Sequence, residues 1–299
     1  KMEEIFERMW QQADVIAVQL GDTSRVEDFK YHVMDHMLNL YRRNAVEDGD
    51  AMIAKIMKYF RKDKDLIMIL TPLSPARELS RNNRLTPIIV AGRGFERGVL
   101  SSGSTHRLRV VTNLDVGATI LKFFGIRNMP GQGGTPVFSI ASQDRVDDII
   151  NFNEKLVEIF NQRGFLLRSY VTLLIIVLLM SLGQLILNRK HLWLGETLLM
   201  FIMSVPLAFL LLPIVHQPTT LRSTLVTLII ASACTALVCW AFSNTRDRII
   251  AISCMTAIAL IVDQWTGMSL IQGSPLGYDV ISAARFYGIG NEYMGIMIG

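Results

Sequence analysis

The hydrophobic pattern divides the chain into two parts of different character. An uncharged run rich in Leu and Ile extends from about Val171 to Leu187. Together with the residues from Phe165 onwards it is long enough, as a helix, to cross a hydrocarbon layer of roughly 30 Å. The residues before this run carry most of the charge, and those after it return repeatedly to apolar runs. The pattern predicts a soluble α/β domain over residues 1–164 and an all-α transmembrane region over residues 165–299.

In the first part, apolar residues at helical spacing alternate with short apolar runs typical of strands. Predicted helices cover residues 2–12, 26–43, 46–60, 116–124 and 144–162. Predicted strands cover residues 14–20, 66–70, 87–91, 108–112 and 136–140. Because strands that alternate with helices favour parallel pairing, we expect an α/β fold with a mostly parallel sheet covered on both faces.

Three more apolar stretches follow the first predicted span. They cover about residues 194–215, 225–242 and 249–270, and a fifth begins near Tyr293. Pro206 and Pro213 fall in the first of these three stretches, where neighbouring helices can satisfy the carbonyl groups that a proline leaves free. We therefore expect four spans plus the start of a fifth, with the lipid bilayer as a partner.

Basic residues beside the spans do not decide the orientation of the chain. On the side opposite the soluble part lie Arg189, Lys190, Arg246 and Arg248, and on its own side lie Arg163, Arg168, Arg222 and Arg285. The two sides carry equal numbers, so the preference of Lys and Arg for the cytoplasmic side gives no answer.

Asp22 is a candidate metal ligand or acid in the soluble part. It follows the predicted strand 14–20, and open α/β sheets place their chemistry at the carboxyl ends of strands. An Asx-turn or a helix N-cap is the alternative use of an aspartate there. His32 and His36 stand four residues apart on a predicted helix, a spacing that can bind a metal. No third ligand accompanies them, so packed or half-exposed histidines are the favoured interpretation.

Two polar features of the membrane part are candidates for a membrane polar site. Asp263 falls in the fourth apolar stretch beside Trp265, and a carboxylate inside a membrane is costly enough to indicate function. The alternative is that the span ends near Val262 and that Asp263 lies at the interface. The second feature is the stretch 284–293, which combines charged, amide and phenolic groups around two glycines; its candidate residues are Arg285, Asn291 and Glu292. Such a stretch could hold a polar head group or an ion, or it could be a plain re-entry loop.

Charge and cysteine content exclude some classes of function. The chain has 299 residues and a net charge of +4, but its basic residues are scattered and form no stripe interleaved with aromatic residues, so we expect no nucleic acid partner. All three cysteines lie in apolar segments of the membrane part, which gives no disulfide framework. The chain begins with Lys1 and stops within an apolar run, so we expect it to be an internal portion of a longer polypeptide.

The region from Asp14 to Ile126 contains a series of short motifs in a definite order, namely Leu85–Gly94, Gly98–Ser102, Ser104–Arg107, Val110–Asp115, Ala118–Leu121 and Phe124–Ile126. In order and spacing this region resembles the carboxyl-terminal part of the alkaline phosphatase/sulfatase superfamily. The motifs are similar to a threonine-proline strand that ends in G-x-G, followed by a helix that begins after an aspartate and ends in G-I. The resemblance implies two divalent cations, zinc or manganese, at the strand ends and a Ser or Thr nucleophile. Metals of this kind neutralise an oxyanion and activate the attacking oxygen, so they require several carboxylate and imidazole ligands.

Several positions that the family uses for metal ligands hold other residues in this chain. Asp22 matches the first motif, but Val26 stands where the family has a histidine. Leu73 and Ser74 replace an Asp-His pair, and the segment Ala76–Leu85 contains no histidine. His106 comes after the threonine-proline strand, where the family has no known ligand. We therefore expect a partial alkaline-phosphatase-like domain without its two-metal centre.

The leading hypothesis is a membrane-anchored, outward-facing, degenerate domain that serves binding, assembly or regulation and needs no cofactor. A bacterial-type plasma membrane is expected, with a head-group or cell-envelope ligand as partner. One alternative is an active metal-dependent phosphoryl- or sulfuryl-type hydrolase or transferase that uses two zinc or manganese ions and takes its nucleophile and ligands from upstream of Lys1. The other is a transporter or lipid-handling module that uses Asp263, Arg285 and Glu292.

Overall fold

The computed structural model describes residues 2–127, 131–186, 193–215, 219–283 and 285–298. By its internal contacts the chain divides into two compact units. Unit 1 comprises residues 1–80 and 86–96, and unit 2 comprises residues 81–85 and 97–299. The predicted domain boundary after residue 164 does not coincide with this division, because residue 164 lies in the interior of a helix of unit 2.

Unit 1 is mainly helical and contains one small sheet. Its helices are α1 (Met2–Trp10), α2 (Asp22–Asp28), α3 (Asp35–Met57) and α4 (Ala76–Ser80), with a 3₁₀ turn at Lys30–His32; its strands are β1 (Leu66–Leu70) and β2 (Ile88–Gly92). The two strands pair antiparallel, with Leu66 opposite Gly92 and Leu70 opposite Ile88. Gly92 ends β2 with a φ of +126°, and a Cβ there would lie 2.1 Å from the carbonyl oxygen of Asp65, so this pairing requires glycine.

In unit 1, the predicted strands that pair with another strand were predicted correctly, as was the first helix. Helix α1 and strands β1 and β2 are confirmed. The predicted strand 14–20 is wrong: along residues 15–20 exposure alternates as in a strand, but the segment pairs with none of the described strands. An extended segment forms a strand only when another strand satisfies its N–H and C=O groups. An alternating pattern alone was therefore insufficient.

The helices of unit 1 also begin and end at positions other than those predicted. The predicted helix 26–43 is interrupted, because Val33 and Met34 are extended between the 3₁₀ turn and α3. As a result His32 and His36 belong to different elements and do not share one helical face. The predicted break near residue 45 is missing, since α3 continues to Met57.

Unit 2 contains a second small sheet and all of the long apolar helices. Its strands are β3 (Gly98–Ser101) and β4 (Phe138–Ala141). Its helices are α5 (Asn113–Phe123), α6 (Val146–Ile186), α7 (Trp193–Leu211), α8 (Thr220–Ala241), α9 (Thr245–Trp265), α10 (Ser269–Gly273) and α11 (Asn291–Ile298), with a 3₁₀ turn at Leu212–Ile214. Strand β3 pairs with β4 in antiparallel register, with Gly98 opposite Ala141.

The predicted mostly parallel sheet is not what the described residues form. Both sheets have two strands and both are antiparallel. The predicted strand 108–112 forms no ladder, and Arg109 there has a φ of +67°, outside the extended region. Alternation of helices and strands indicated parallel crossovers, but with strands 14–20 and 108–112 unpaired the remaining strands meet only as antiparallel pairs.

The four predicted spans are confirmed as helices that are long and apolar enough to cross a membrane. They are Val146–Ile186, Trp193–Ile214, Thr220–Ala241 and Thr245–Trp265. The predicted amphipathic helix 144–162 and the first span form one continuous helix, α6, of 41 residues. Helix α11 begins at Asn291, which agrees with a fifth apolar stretch near Tyr293.

The main core of unit 2 lies among these helices. Its buried residues are Leu166, Val205, Ala208, Phe209, Leu210, Leu212, Ala231, Leu260, Ile271, Leu276 and Tyr293. Tyr293 is fully buried, and its hydroxyl lies 2.6 Å from the Oγ of Ser274 and 3.4 Å from the carbonyl oxygen of Pro206. This tyrosine therefore fixes α11 to both α7 and the loop after α10.

Candidate functional site

Asp22 lies at the start of α2 and forms an ion pair within the same helix. Its carboxylate accepts a hydrogen bond from Arg25, one turn along the same helix, and half of its side chain is exposed. Within the described residues, no group of three or more His, Cys, Asp or Glu side chains is placed to hold a metal ion. The geometry gives Asp22 a local surface ion pair.

Asp263 lies in the last turn of α9 and is 1% exposed. One carboxylate oxygen accepts from the backbone N–H of Leu270 at 2.9 Å, and the other accepts from the N–H of Ile271 at 2.8 Å. These two N–H groups belong to the first turn of α10, where a helix has no internal acceptors for them. Asp263 therefore caps α10 from a neighbouring helix, which explains how a carboxylate can be buried here. Trp265 is 87% exposed, as an interfacial tryptophan would be.

Arg285 and Asn291 both contact Tyr278. The Arg285 guanidinium donates to the Tyr278 hydroxyl and lies 5.0 Å from the centre of that ring. The same hydroxyl donates to the Asn291 side-chain oxygen at 3.3 Å. Tyr278 thus connects the loop at residue 285 to the start of α11. Ala284, at the start of the predicted polar stretch, lies outside the described residues.

Glu292 has a different partner, Arg163 of helix α6. The Arg163 Nη2 lies 2.8 Å from the Glu292 Oε1, and the two side chains are 21% and 37% exposed. Glu292 is in the first turn of α11, where the positive end of the helix dipole also favours a carboxylate. The structure therefore brings Arg285 together with Asn291, places Glu292 beside them along the chain, and leaves Asp263 bonded to α10.

A shallow cavity of about 500 Å³, largely open to the surroundings, lies beside this ion pair. Its lining residues are Asn82, Phe160, Asn161, Arg163, Gly164, Leu167, Asp279 and Ser282. A volume of this size is in the range of small-molecule sites, which combine apolar walls with a few polar groups. Arg163 comes shortly before the uncharged part of α6, so the cavity lies near the level at which lipid head groups meet the hydrocarbon layer.

Hydrogen bonds hold two walls of this cavity in place. The Asn82 amide nitrogen donates to the Asn161 side-chain oxygen at 2.6 Å, and the Asn161 amide donates to the carbonyl of Arg81. On another wall, the Asp279 carboxylate accepts from the backbone N–H groups of Ile281 at 2.9 Å and Ser282 at 3.2 Å. Hydrogen bonds therefore hold the side chains of Asn82, Asn161 and Asp279 in the cavity wall.

Arg107 is a buried cation in the same unit. Its side chain is 5% exposed, and its Nη2 donates to the carbonyl oxygen of Gln272 at 3.3 Å. Burial lowers the pKa of Arg107 to about 10, against the opposing effect of the Asp279 charge. Next to it, His106 contacts the ring of Tyr287 edge-on at 4.8 Å. Residues 106 and 107 thus connect the loop after β3 to α10, through Gln272, and to the loop that contains Tyr287.

Sequence reasoning missed the cavity and the two arginines. Arg163 and Glu292 are 129 residues apart, and no local pattern indicates that α6 and α11 meet. The sequence shows Arg163 only as one of several basic residues beside the first span, which is a common position for arginine. For Asn82, Arg107 and Asp279 the sequence offers no signal either.

The four long apolar helices identify the chain as a membrane protein. Comparison of the chain with family models, with curated proteins and with solved structures gave no match.

Proposed function

We propose that this chain is a membrane-anchored binding protein whose cavity beside Arg163 holds a polar head group of a lipid or of another cell-envelope component. The observation that carries the proposal is the cavity itself, which is lined by one cation, one carboxylate, two amides and a hydroxyl at the start of a membrane span. A head group in a bilayer lies at this level and needs no path through the protein to reach it.

Apolar residues of the same cavity support a ligand that is part lipid. Phe160 and Leu167 lie on the same helix as Arg163, and both line the cavity. A lipid could place its polar head group against the polar residues of the cavity and its acyl chains against these apolar residues. A free ion would gain little from the apolar part, because ions do not bury apolar area.

We further propose that the extramembrane residues are a non-hydrolytic relative of the alkaline phosphatase/sulfatase superfamily. The surface pairing of Asp22 with Arg25 supports the non-hydrolytic part of this proposal, as do Leu73 and Ser74 at positions where the resemblance implies ligands. The proposal includes an extracytoplasmic side of a bacterial-type plasma membrane for these residues. Labelling of a cysteine introduced at exposed Tyr31 by a membrane-impermeant reagent on whole cells tests that location.

Filling the cavity tests the binding proposal directly. Gly164 lines the cavity, and a Cβ there would meet only the end of the Arg168 side chain within 4 Å. We expect Gly164→Leu to abolish lipid retention, measured by native mass spectrometry of the purified full chain. The same change should leave the fold intact or raise stability by up to about 1 kcal/mol, since glycine is a poor helix former.

A matched control places the same substitution away from the cavity. Gly183 lies on the same helix, and a Cβ added there would have nothing within 4 Å, so Gly183→Leu should retain lipid. Lipid retention by Gly164→Leu equal to that of the wild type would refute the binding proposal. Metal analysis tests the non-hydrolytic role separately, because two tightly bound zinc or manganese ions per full-length chain would contradict it.

A further inference from the structure

We infer that the cavity takes an anionic lipid head group and that this group competes with Glu292 for Arg163. The inference rests on the proposed function, and it adds the charge of the ligand and a link between the cavity and helix α11. Its starting point is that one guanidinium, that of Arg163, both lines the cavity and holds Glu292.

Arg163 is the group suited to an anionic ligand. It is the cation among the residues that line the cavity, and guanidinium N–H groups bind phosphate and carboxylate oxygens in strong charge-assisted hydrogen bonds. The ion pair with Glu292 uses Nη2, and an arginine has further N–H donors for a second acceptor. The one lining carboxylate, Asp279, is already bonded to the backbone of its own loop.

Glu292 can give up Arg163 without losing all of its stabilisation. It lies in the first turn of α11, whose dipole favours a negative charge, and its side chain is 37% exposed to solvent. A negative head group on Arg163 would stand beside the Glu292 carboxylate, and two like charges at one cation disfavour each other. The head group and Glu292 are therefore coupled negatively.

Coupling of this kind is reciprocal. The ion pair with Glu292 weakens binding of the head group by some factor, and binding of the head group weakens the ion pair between α6 and α11 by the same factor. Tyr293 stays bonded to Ser274 in the core, so the response is confined to the first turn of α11. Binding of a head group in the cavity would therefore weaken the ion pair that holds the start of α11.

Calorimetric titration of the purified full chain with short-chain lipids tests the inference. The probes are dioctanoyl phosphatidylglycerol, dioctanoyl phosphatidylcholine and glycerol phosphate. We expect the wild type to prefer phosphatidylglycerol, and Glu292→Gln to bind it about 5- to 20-fold more tightly, the usual size of such couplings. Arg163→Gln should lose the preference for phosphatidylglycerol, and the double variant should behave like Arg163→Gln.

Two controls separate competition from general effects. Glu154→Gln removes the same charge from an exposed position of α6 and should leave the affinity unchanged. Glu292→Asp keeps the charge at the helix terminus but shortens the side chain, and it should give a smaller increase than Glu292→Gln. It also serves if Glu292→Gln does not fold.

The outcomes distinguish the inference from the proposed function. If Glu292→Gln and Glu292→Asp leave the affinity for phosphatidylglycerol unchanged or lower it, competition is refuted, and lipid loss in Gly164→Leu still supports the cavity. If glycerol phosphate binds as tightly as phosphatidylglycerol, the ligand is a soluble anion and the lipid source is wrong. Equal binding of phosphatidylcholine and phosphatidylglycerol to the wild type would refute an anionic ligand.

Discussion

Unit 2 contains two fully buried carboxylates, whereas the ion-paired carboxylates of unit 1 lie at or near the surface. The pairs in unit 1 are Glu27–Arg42, Glu3–Lys55 and Asp65–Arg61. In unit 2, Asp115 is 0% exposed and Asp263 is 1% exposed, and both accept from backbone N–H groups. Surface ion pairs add little stability, whereas a buried carboxylate that satisfies backbone donors fixes the conformation of the segments it joins. Removal of Asp115 or Asp263 should therefore cost far more than removal of an ion-paired carboxylate, whether in unit 1 or elsewhere in unit 2.

The largest effect is expected at Asp115. Its oxygens accept from the Ser104 hydroxyl at 2.5 Å, from the N–H of Thr112 at 2.8 Å and from the N–H of Thr135 at 2.9 Å. Asp115→Ala would leave these three donors without their acceptor, at a cost of about 4 kcal/mol in the free energy of unfolding. Denaturant titration of the purified chain in detergent measures it. Asp144→Ala, at a partly exposed aspartate, is the control, and equal losses in both variants would contradict the comparison.

A somewhat smaller loss is expected at Asp263, which satisfies two donors. Asp263→Ala would leave the N–H groups of Leu270 and Ile271 unsatisfied, so we expect a loss of about 3 kcal/mol in the same titration. Asp263→Asn keeps an oxygen acceptor and should lose less. If the two variants are equally stable, capping of α10 is not what Asp263 contributes.

Low pH should remove part of the stability that the Asp115 carboxylate contributes to the fold. Burial by itself raises the pKa of this carboxyl, but hydrogen bonds from Ser104, Thr112, Thr135 and Ser102 together hold the pKa below its usual value. A lowered folded-state pKa gives stability that is present above the unfolded-state pKa of about 3.9 and is lost as pH falls through the folded-state value. Thermal unfolding should therefore show wild type losing stability below about pH 4 more steeply than Asp115→Asn. Parallel pH profiles would contradict this.

A small effect is expected at Arg42 in unit 1. The Arg42 Nε donates to Glu27 at 2.6 Å, and this hydrogen bond holds the pKa of Glu27 below its usual value. Because both side chains are partly exposed, Arg42→Gln should lower the free energy of unfolding of unit 1 by about 1 kcal/mol or less. High salt should shrink the difference between Arg42→Gln and wild type. A loss as large as that of Asp263→Ala would break the comparison between the units.

The smallest effect is expected at Asp22. Its pair with Arg25 is exposed, so Asp22→Ala should leave the melting temperature unchanged within error. It should also leave the zinc and manganese content of the full-length protein unchanged. A drop in bound metal for Asp22→Ala, with no drop for the neighbouring surface variant Asp28→Ala, would favour the metal-ligand interpretation of Asp22.

The sequence predicted the membrane part of the fold better than the rest. A span is specified by length and lack of charge, which are local properties, so all four spans were found. Strands depend on partners: β1 and β2 were found because their runs pair, whereas the segment 14–20 has the alternation but no partner strand among the described ones. The antiparallel pairing depends on tertiary contacts, which cannot be read from the residues of one strand alone.

The candidate site was predicted only in part, for a similar reason. Glu292 and Arg285 were recognised because they lie in one polar stretch, but the ion pair of Glu292 with Arg163 connects segments that are distant in sequence. Asp263 was singled out by its cost in a membrane, yet its role as a cap depends on α10 turning back towards it. Contacts between distant segments decided what each recognised residue does.

The length of α6 determines how much of it can lie within a bilayer. Forty-one residues at the usual rise give a rod of about 60 Å, and it contains no proline at which to kink. This length is about twice the roughly 30 Å of a hydrocarbon layer, so about half of the helix must extend beyond the layer. Arg163, Gly164 and Leu167, which line the cavity, lie in the middle part of this helix.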